Sequence, residues 1–88
     1  MKINGTYVLR KVAGDNIIIP VGETALKYNG MLTVTETGAD IWEAMVKESS
    51  IEEITQMILE KYEVEKETAE KDVREFLEGL EKAGFISL

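Results

Sequence analysis

Carboxylates are almost the only groups in this sequence that could do chemistry. His and Cys are absent, which removes the commonest general base, the thiolate nucleophile and the usual zinc ligands. Glu36 and Asp40, in the stretch ETGAD, stand four residues apart at the start of a helical pattern and therefore share a face. Two acids so placed could exchange a proton or hold a cation. A calcium site wants more oxygens at closer spacing, whereas capping and the helix dipole account for acids at an N-terminus. The pairs Glu67 with Lys71, Glu70 with Arg74 and Glu78 with Lys82 run in the favourable i,i+4 direction. Each is worth about 0.2–0.5 kcal/mol and marks a solvated helix face. No phosphate loop or Gly-rich dinucleotide fingerprint appears. The expectation is a protein that is not an enzyme, with no catalytic residues, no metal site and no cofactor.

Charge narrows the partners. The 88 residues carry 17 acidic and 10 basic side chains, a net charge of −7. Phosphate neutralisation supplies most nucleic-acid affinity, so a chain this acidic is not expected to bind nucleic acid. No apolar run approaches the roughly 18 residues that cross a bilayer, and the N-terminus lacks a secretory h-region. No membrane partner is expected, and the lack of Cys fits a reducing cytoplasm. Length and a 44% hydrophobic content describe one small globular unit, residues 1–88.

These side chains need elements to position them. TYVLRKVA alternates as a strand, with Tyr7, Leu9 and Lys11 on one face and Val8, Arg10 and Val12 on the other. Gly14 to Asn16 supply turn chemistry, and IIIPV returns as the second arm of a hairpin. Pro20 cannot donate to a ladder and so belongs at a strand end or an edge. VGETALKYNG connects onward, and Asn29-Gly30 favours a tight turn. MLTV follows as a third strand, Leu32 and Val34 sharing a face. Thr35 or Thr37 caps a first helix bearing Ile41, Trp42, Met45 and Val46 at helical spacing. Ser50 with Glu53, or Ser49 with Glu52, forms a capping box. The second helix buries Ile51, Ile54, Met57, Ile58 and Tyr62. The third spans about 66–82, with Ala69, Val73, Phe76, Leu77 and Leu80 as its stripe and Gly84 as its stop. FISL folds back, placing Phe85 and Ile86 on the core. Strands followed by helices give an α+β fold, a three-stranded antiparallel sheet followed by three helices, winged helix-turn-helix-like.

Three strands cannot close a barrel, so two edges remain, and an edge must be covered, blunted or used. MLTV carries neither charge nor Pro. Beside the long third helix it would leave a groove into which an extended peptide could add a strand. If MLTV is instead central, or covered by the chain's own tail, no such site exists.

The sequence resembles the PqqD-like family. YVLRKVAGDNIIIPVG is similar to the family's opening. LTVTETGADIWEAM resembles its strand, its Leu-Asn-Glu-Thr-Gly and its helical Ile-Trp. SIEEITQMILEKYEVEKETAEKDVREFLEGLEKAGFI resembles its second half. Thr35 departs from the usual Asn but can still cap, and Glu65 stands where a better cap is common. The resemblance implies a recognition element of ribosomally made, modified peptides: a non-catalytic domain that binds the leader of a precursor peptide and delivers it to a modifying enzyme, often a radical-SAM enzyme. In the namesake pathway the product is PQQ. It also implies a leader lying along the third strand, here Met31, Leu32, Thr33, Val34 and Thr35, against a helix side drawn from Ala69, Asp72, Val73 and Phe76. Two other readings stand beside this one. One is a winged-helix nucleic-acid or protein-interaction domain. The other is the same fold forming a homodimer through its edge strand.

Overall fold

The computed structural model describes residues 1–27 and 30–88. Tyr28 and Asn29, and with them the expected Asn29-Gly30 turn, lie outside the described residues. The elements in chain order are β1 (Lys2–Ile3), β2 (Tyr7–Val12), β3 (Asp15–Pro20), α1 (Glu23–Lys27), β4 (Leu32–Val34), α2 (Glu36–Val46), α3 (Ile51–Lys61), α4 (Lys66–Lys82) and β5 (Ile86–Ser87).

The α+β class and the three-stranded antiparallel sheet, in the order β2-β3-β4, are as expected. The simple succession of strands and then helices is not. A short helix, α1, interrupts the connection between β3 and β4. A second, two-stranded sheet joins β1 to β5, which the sequence reading lacked because two-residue strands leave no periodicity to detect. The hairpin turn also moves. Val12 pairs with Asp15, so Ala13 and Gly14 form the two-residue loop, both with positive φ (51° and 87°), while Asp15 and Asn16 belong to β3. Ala pays about 1–2 kcal/mol to enter that region, which is why Gly14 to Asn16 looked the better turn. The paired twist of the two strands favours a loop with two positive φ values.

One face of the main sheet packs on the helices. Ile18 is fully buried beneath Ile41, Trp42, Ile54, Ile58, Val73, Leu77 and Leu80. Trp42 is 2% exposed and is a core residue. The Tyr7 ring meets it edge-on at 5.7 Å and stacks on Phe85 at 4.7 Å. Such aromatic pairs add about 0.5–1.5 kcal/mol beyond burial. Through this contact the first long strand is fixed to the chain's last residues. The clasp continues in the register Ile3↔Ile86 and in the Asn4 N–H donating to the Phe85 carbonyl at 2.8 Å.

The helix signals read correctly where capping chemistry was explicit. The Ser50 hydroxyl accepts from the Glu53 N–H and the Glu53 carboxylate from the Ser50 N–H, completing the capping box. Glu65, at the start of α4, makes no side-chain capping bond. Ile51, expected on the buried stripe, is instead exposed (48%), as is the apolar Val46 (56%). They are the first residue of α3 and the last of α2, where the chain turns outward. On α4 the ion pair formed is Lys71 with Glu75, at 3.9 Å, in place of the three pairs expected from spacing.

Gly5 adopts a φ of +117°, and a Cβ built on it would stand 2.6 Å from Thr24 Oγ1. That hydroxyl accepts the Thr6 N–H at 2.8 Å, so it ties α1 to the entry of β2. Replacing Gly5 with Ala should therefore destabilise the fold by about 1–3 kcal/mol, read as a lower urea midpoint. A midpoint equal to wild type would show that neither the backbone angle nor the Thr24 contact matters.

Candidate functional site

The groove begins with backbone parity. The Val21 N–H donates to the Thr6 carbonyl at 3.0 Å, and the tight turn closes on the Val12–Asp15 pair. Residues 15, 17, 19 and 21 therefore direct their hydrogen bonds toward β2. Asn16 and Ile18 face the other way, opposite Val34 and Leu32. Leu32 and Val34 are thus tied to β3, and the N–H and C=O of Thr33 point away from the sheet. No strand among the described residues pairs on that side, since β4 ends the order β2-β3-β4.

Side chains alternate in the same way. Leu32 and Val34 are half-buried toward the helices, while Thr33 is exposed. Thr35 turns the chain into α2. Its hydroxyl accepts from the Gly38 N–H at 3.0 Å and its carbonyl from the Ala39 N–H at 2.9 Å. The Asn-to-Thr departure therefore leaves the cap intact.

Opposite this edge stands α4, running antiparallel to β4. A groove of about 310 Å³ is lined by Leu32 to Thr35 on one wall and by Glu75, Phe76, Gly79 and Leu80 on the other. It opens at the Thr35 end into a second hollow of about 500 Å³, bounded by Thr35, Thr37, Gly38, Ile41, Asp72, Glu75 and Phe76. Phe76 separates the two. Its ring reaches so close to α2 that a Cβ on Gly38 would stand 2.8 Å from it and 3.2 Å from the Val34 Cβ. Gly38 is the residue that lets strand, helix start and ring meet.

Of the residues expected at the site, Leu32, Thr33, Val34, Thr35, Asp72 and Phe76 are brought together here. Met31 lies just outside β4 and is 66% exposed. Ala69 and Val73 are 0% and 1% exposed, pack in the core and line neither hollow. Glu75, Gly79 and Leu80 were missed. Glu75 and Gly79 follow Asp72 at i+3 and i+7, a legible helical row displaced from the apolar stripe. Gly79 is the plainer clue. A helix-interior Gly costs about 1 kcal/mol relative to Ala, and no neighbour lies within 4 Å of where its Cβ would be. Its bare position widens the groove.

Charges hold the start of α2 in place. Glu36 accepts from Lys11 at 2.7 Å and from Asn16 at 3.0 Å, joining β2, β3 and α2. Hydrogen bonds from Lys11 and Asn16, and the Lys11 charge, hold the Glu36 carboxyl below its ordinary range. Asp40 accepts from Lys61 at 2.9 Å and from the Tyr62 hydroxyl, locking α2 to the end of α3. Glu36 and Asp40 thus serve as struts. Among the described residues, no three acidic side chains gather as a metal ion would require, and no helix is long and apolar enough to cross a membrane.

A mixed α+β fold with an open strand-and-helix groove is the class that these features define. The sequence matches coenzyme PQQ synthesis protein D (PqqD) over residues 22–86, and the chain belongs to that family. It is also similar to a solved structure, TbiB1 in complex with the TbiA(beta) leader peptide. The TM-score is 0.76 at 24% identity, covering 97% of this chain and 93% of that one, a likeness of fold. No curated protein matches the sequence.

The Tyr62 hydroxyl is pushed above its ordinary range, first by its hydrogen bond to Asp40 and then by desolvation. A raised folded-state pKa gives stability that is complete below the unfolded value, about 10, and is lost as pH rises through the folded one. The stability advantage of wild type over Tyr62→Phe should therefore hold steady at neutral pH and shrink above about pH 10. Urea midpoints across that range would test it, and an advantage that grew with pH would refute the linkage.

Proposed function

We propose that residues 1–88 form a non-catalytic peptide-binding adaptor. It takes the leader segment of a ribosomally made precursor peptide as an added strand on β4 and presents it to a modifying enzyme, of the radical-SAM class in this family's typical setting. The observation that carries this reading is the unpaired outward row at Thr33, opening onto a half-apolar groove. Membership of the PqqD family supports it. So does the fold shared with TbiB1, a protein seen in complex with a leader peptide. Main-chain bonds would supply affinity, and the hollows flanking Phe76 would select side chains. The product, whether PQQ or another modified peptide, is set by the cargo and its enzyme.

A winged-helix nucleic-acid reading has little to stand on. The helix that would enter a groove, α3, carries Glu52, Glu53 and Glu60 against Lys61, and the chain's net charge is −7. No gel retardation of DNA or RNA is expected even at low salt, where phosphate contacts are strongest.

Two variants test strand addition by calorimetry against a synthetic leader peptide of a precursor of this class. Thr33→Pro deletes an outward donor and spares the ladder to β3. It should weaken binding about tenfold, the worth of one hydrogen bond of about 1–1.5 kcal/mol. Gly79→Leu fills the groove from the helix side without touching the strand, and should abolish binding while the fold persists. Unchanged affinity in both folded variants would remove the β4 edge as the site. A concentration-dependent dimer, lost in both variants, would mean that the edge serves a second copy instead.

A further inference from the structure

The groove is not chemically uniform along its length, and the asymmetry specifies a guest. At the Leu32 end the walls are chiefly Leu32, Val34, Phe76 and Leu80, with the bare Gly79, and Glu75 and Thr35 stand at the boundary shared by both hollows. At the Thr35 end the walls carry two carboxylates, Asp72 and Glu75, and the hydroxyl residues Thr35 and Thr37. No Lys or Arg lines either hollow. The nearest cation, Lys71, stands 3.9 Å from Glu75 with both side chains more than half exposed, a contact that contributes little. The start of α2 opposes this sign with roughly half an elementary charge. Its Gly38 N–H is already taken by Thr35, and two full carboxylates outweigh what remains.

We infer that the guest carries two apolar side chains two residues apart and a Lys or Arg two residues beyond them, at the end that reaches Asp72 and Glu75. This rests on the strand-addition reading. A guest residue paired with Thr33 sends its own side chain to Thr33's solvent face. Its two neighbours, opposite Leu32 and Val34, point into the apolar groove. The next residue on that same face lies two positions on, roughly 6.6–6.8 Å along the strand, beside the acidic hollow. A long cationic side chain spans that hollow and meets both carboxylates, whereas an acidic one meets like charge.

The probes are fluorescein-labelled peptides containing Val-Thr-Leu-Thr-X, with X as Lys, Gln or Glu, and the same peptides in reversed order, read by anisotropy. Either the forward or the reversed set should rank Lys above Gln above Glu, with Lys about tenfold tighter than Glu at low salt and the gap narrowing near 0.5 M salt. The ranking should vanish in Asp72→Asn/Glu75→Gln, while Thr33→Pro weakens every peptide alike. Equal binding across X in wild type overturns the cation assignment and leaves strand addition standing. Peptides that bind Thr33→Pro as well as wild type overturn strand addition, and a lack of binding by all of them at millimolar concentration overturns both.

Discussion

A strand of three residues, paired on one side only among the described residues, is the constraint on which the rest of this molecule turns. So short a strand cannot hold its own place. It is pinned by two pairings with β3, by Thr35 at the mouth of α2, and by Val34 against the Gly38–Phe76 contact. Each restraint acts on the inner side or the ends. Among the described residues the outward N–H and C=O of Thr33 are therefore left without a strand partner.

Several of the contacts that position this edge lie far from it. Tyr7, Trp42 and Phe85 stack the start of the sheet, the middle of α2 and the end of the chain into one unit. The strands formed by the two termini close over that unit. Lys11, Asn16 and Glu36 tie the hairpin to α2, while Asp40, Lys61 and Tyr62 tie α2 to α3. Exposed ion pairs contribute little to stability individually. Their part here is orientation, since each fixes the angle at which α2, and thus Gly38, meets Phe76.

Much of this was legible beforehand, and what was not has definite causes. The three long helices are legible because their periodic stripes and the Ser50–Glu53 box leave strong patterns, whereas the five-residue α1 is too short to show one. The clasp of β1 and β5 escaped because two residues make no pattern. The hairpin shows the sharpest limit. Placing its turn at Gly14–Asn16 in place of Ala13–Gly14 would pair Ala13 with Ile17 where the structure pairs Val12 with Asp15, a three-residue change of register between β2 and β3. Which amide of β4 faces out follows from its pairing with Asn16 and Ile18, the residues of β3 whose backbone bonds point away from β2. On α4 the same apolar stripe had to be divided between core and groove. Ala69 and Val73 went to the core and Phe76 to the boundary. The true outer row of Asp72, Glu75 and Gly79 was visible only once the position of β4 was known.

Gly79 has a bearing on how this chain would age in a lineage. Substituting it with alanine would strengthen a solvent-facing helix with no steric objection from its surroundings, so selection for foldedness alone favours its loss. On the proposed strand-addition reading, its retention among descendants would record a cleft still in service, and its replacement a copy retired from that use.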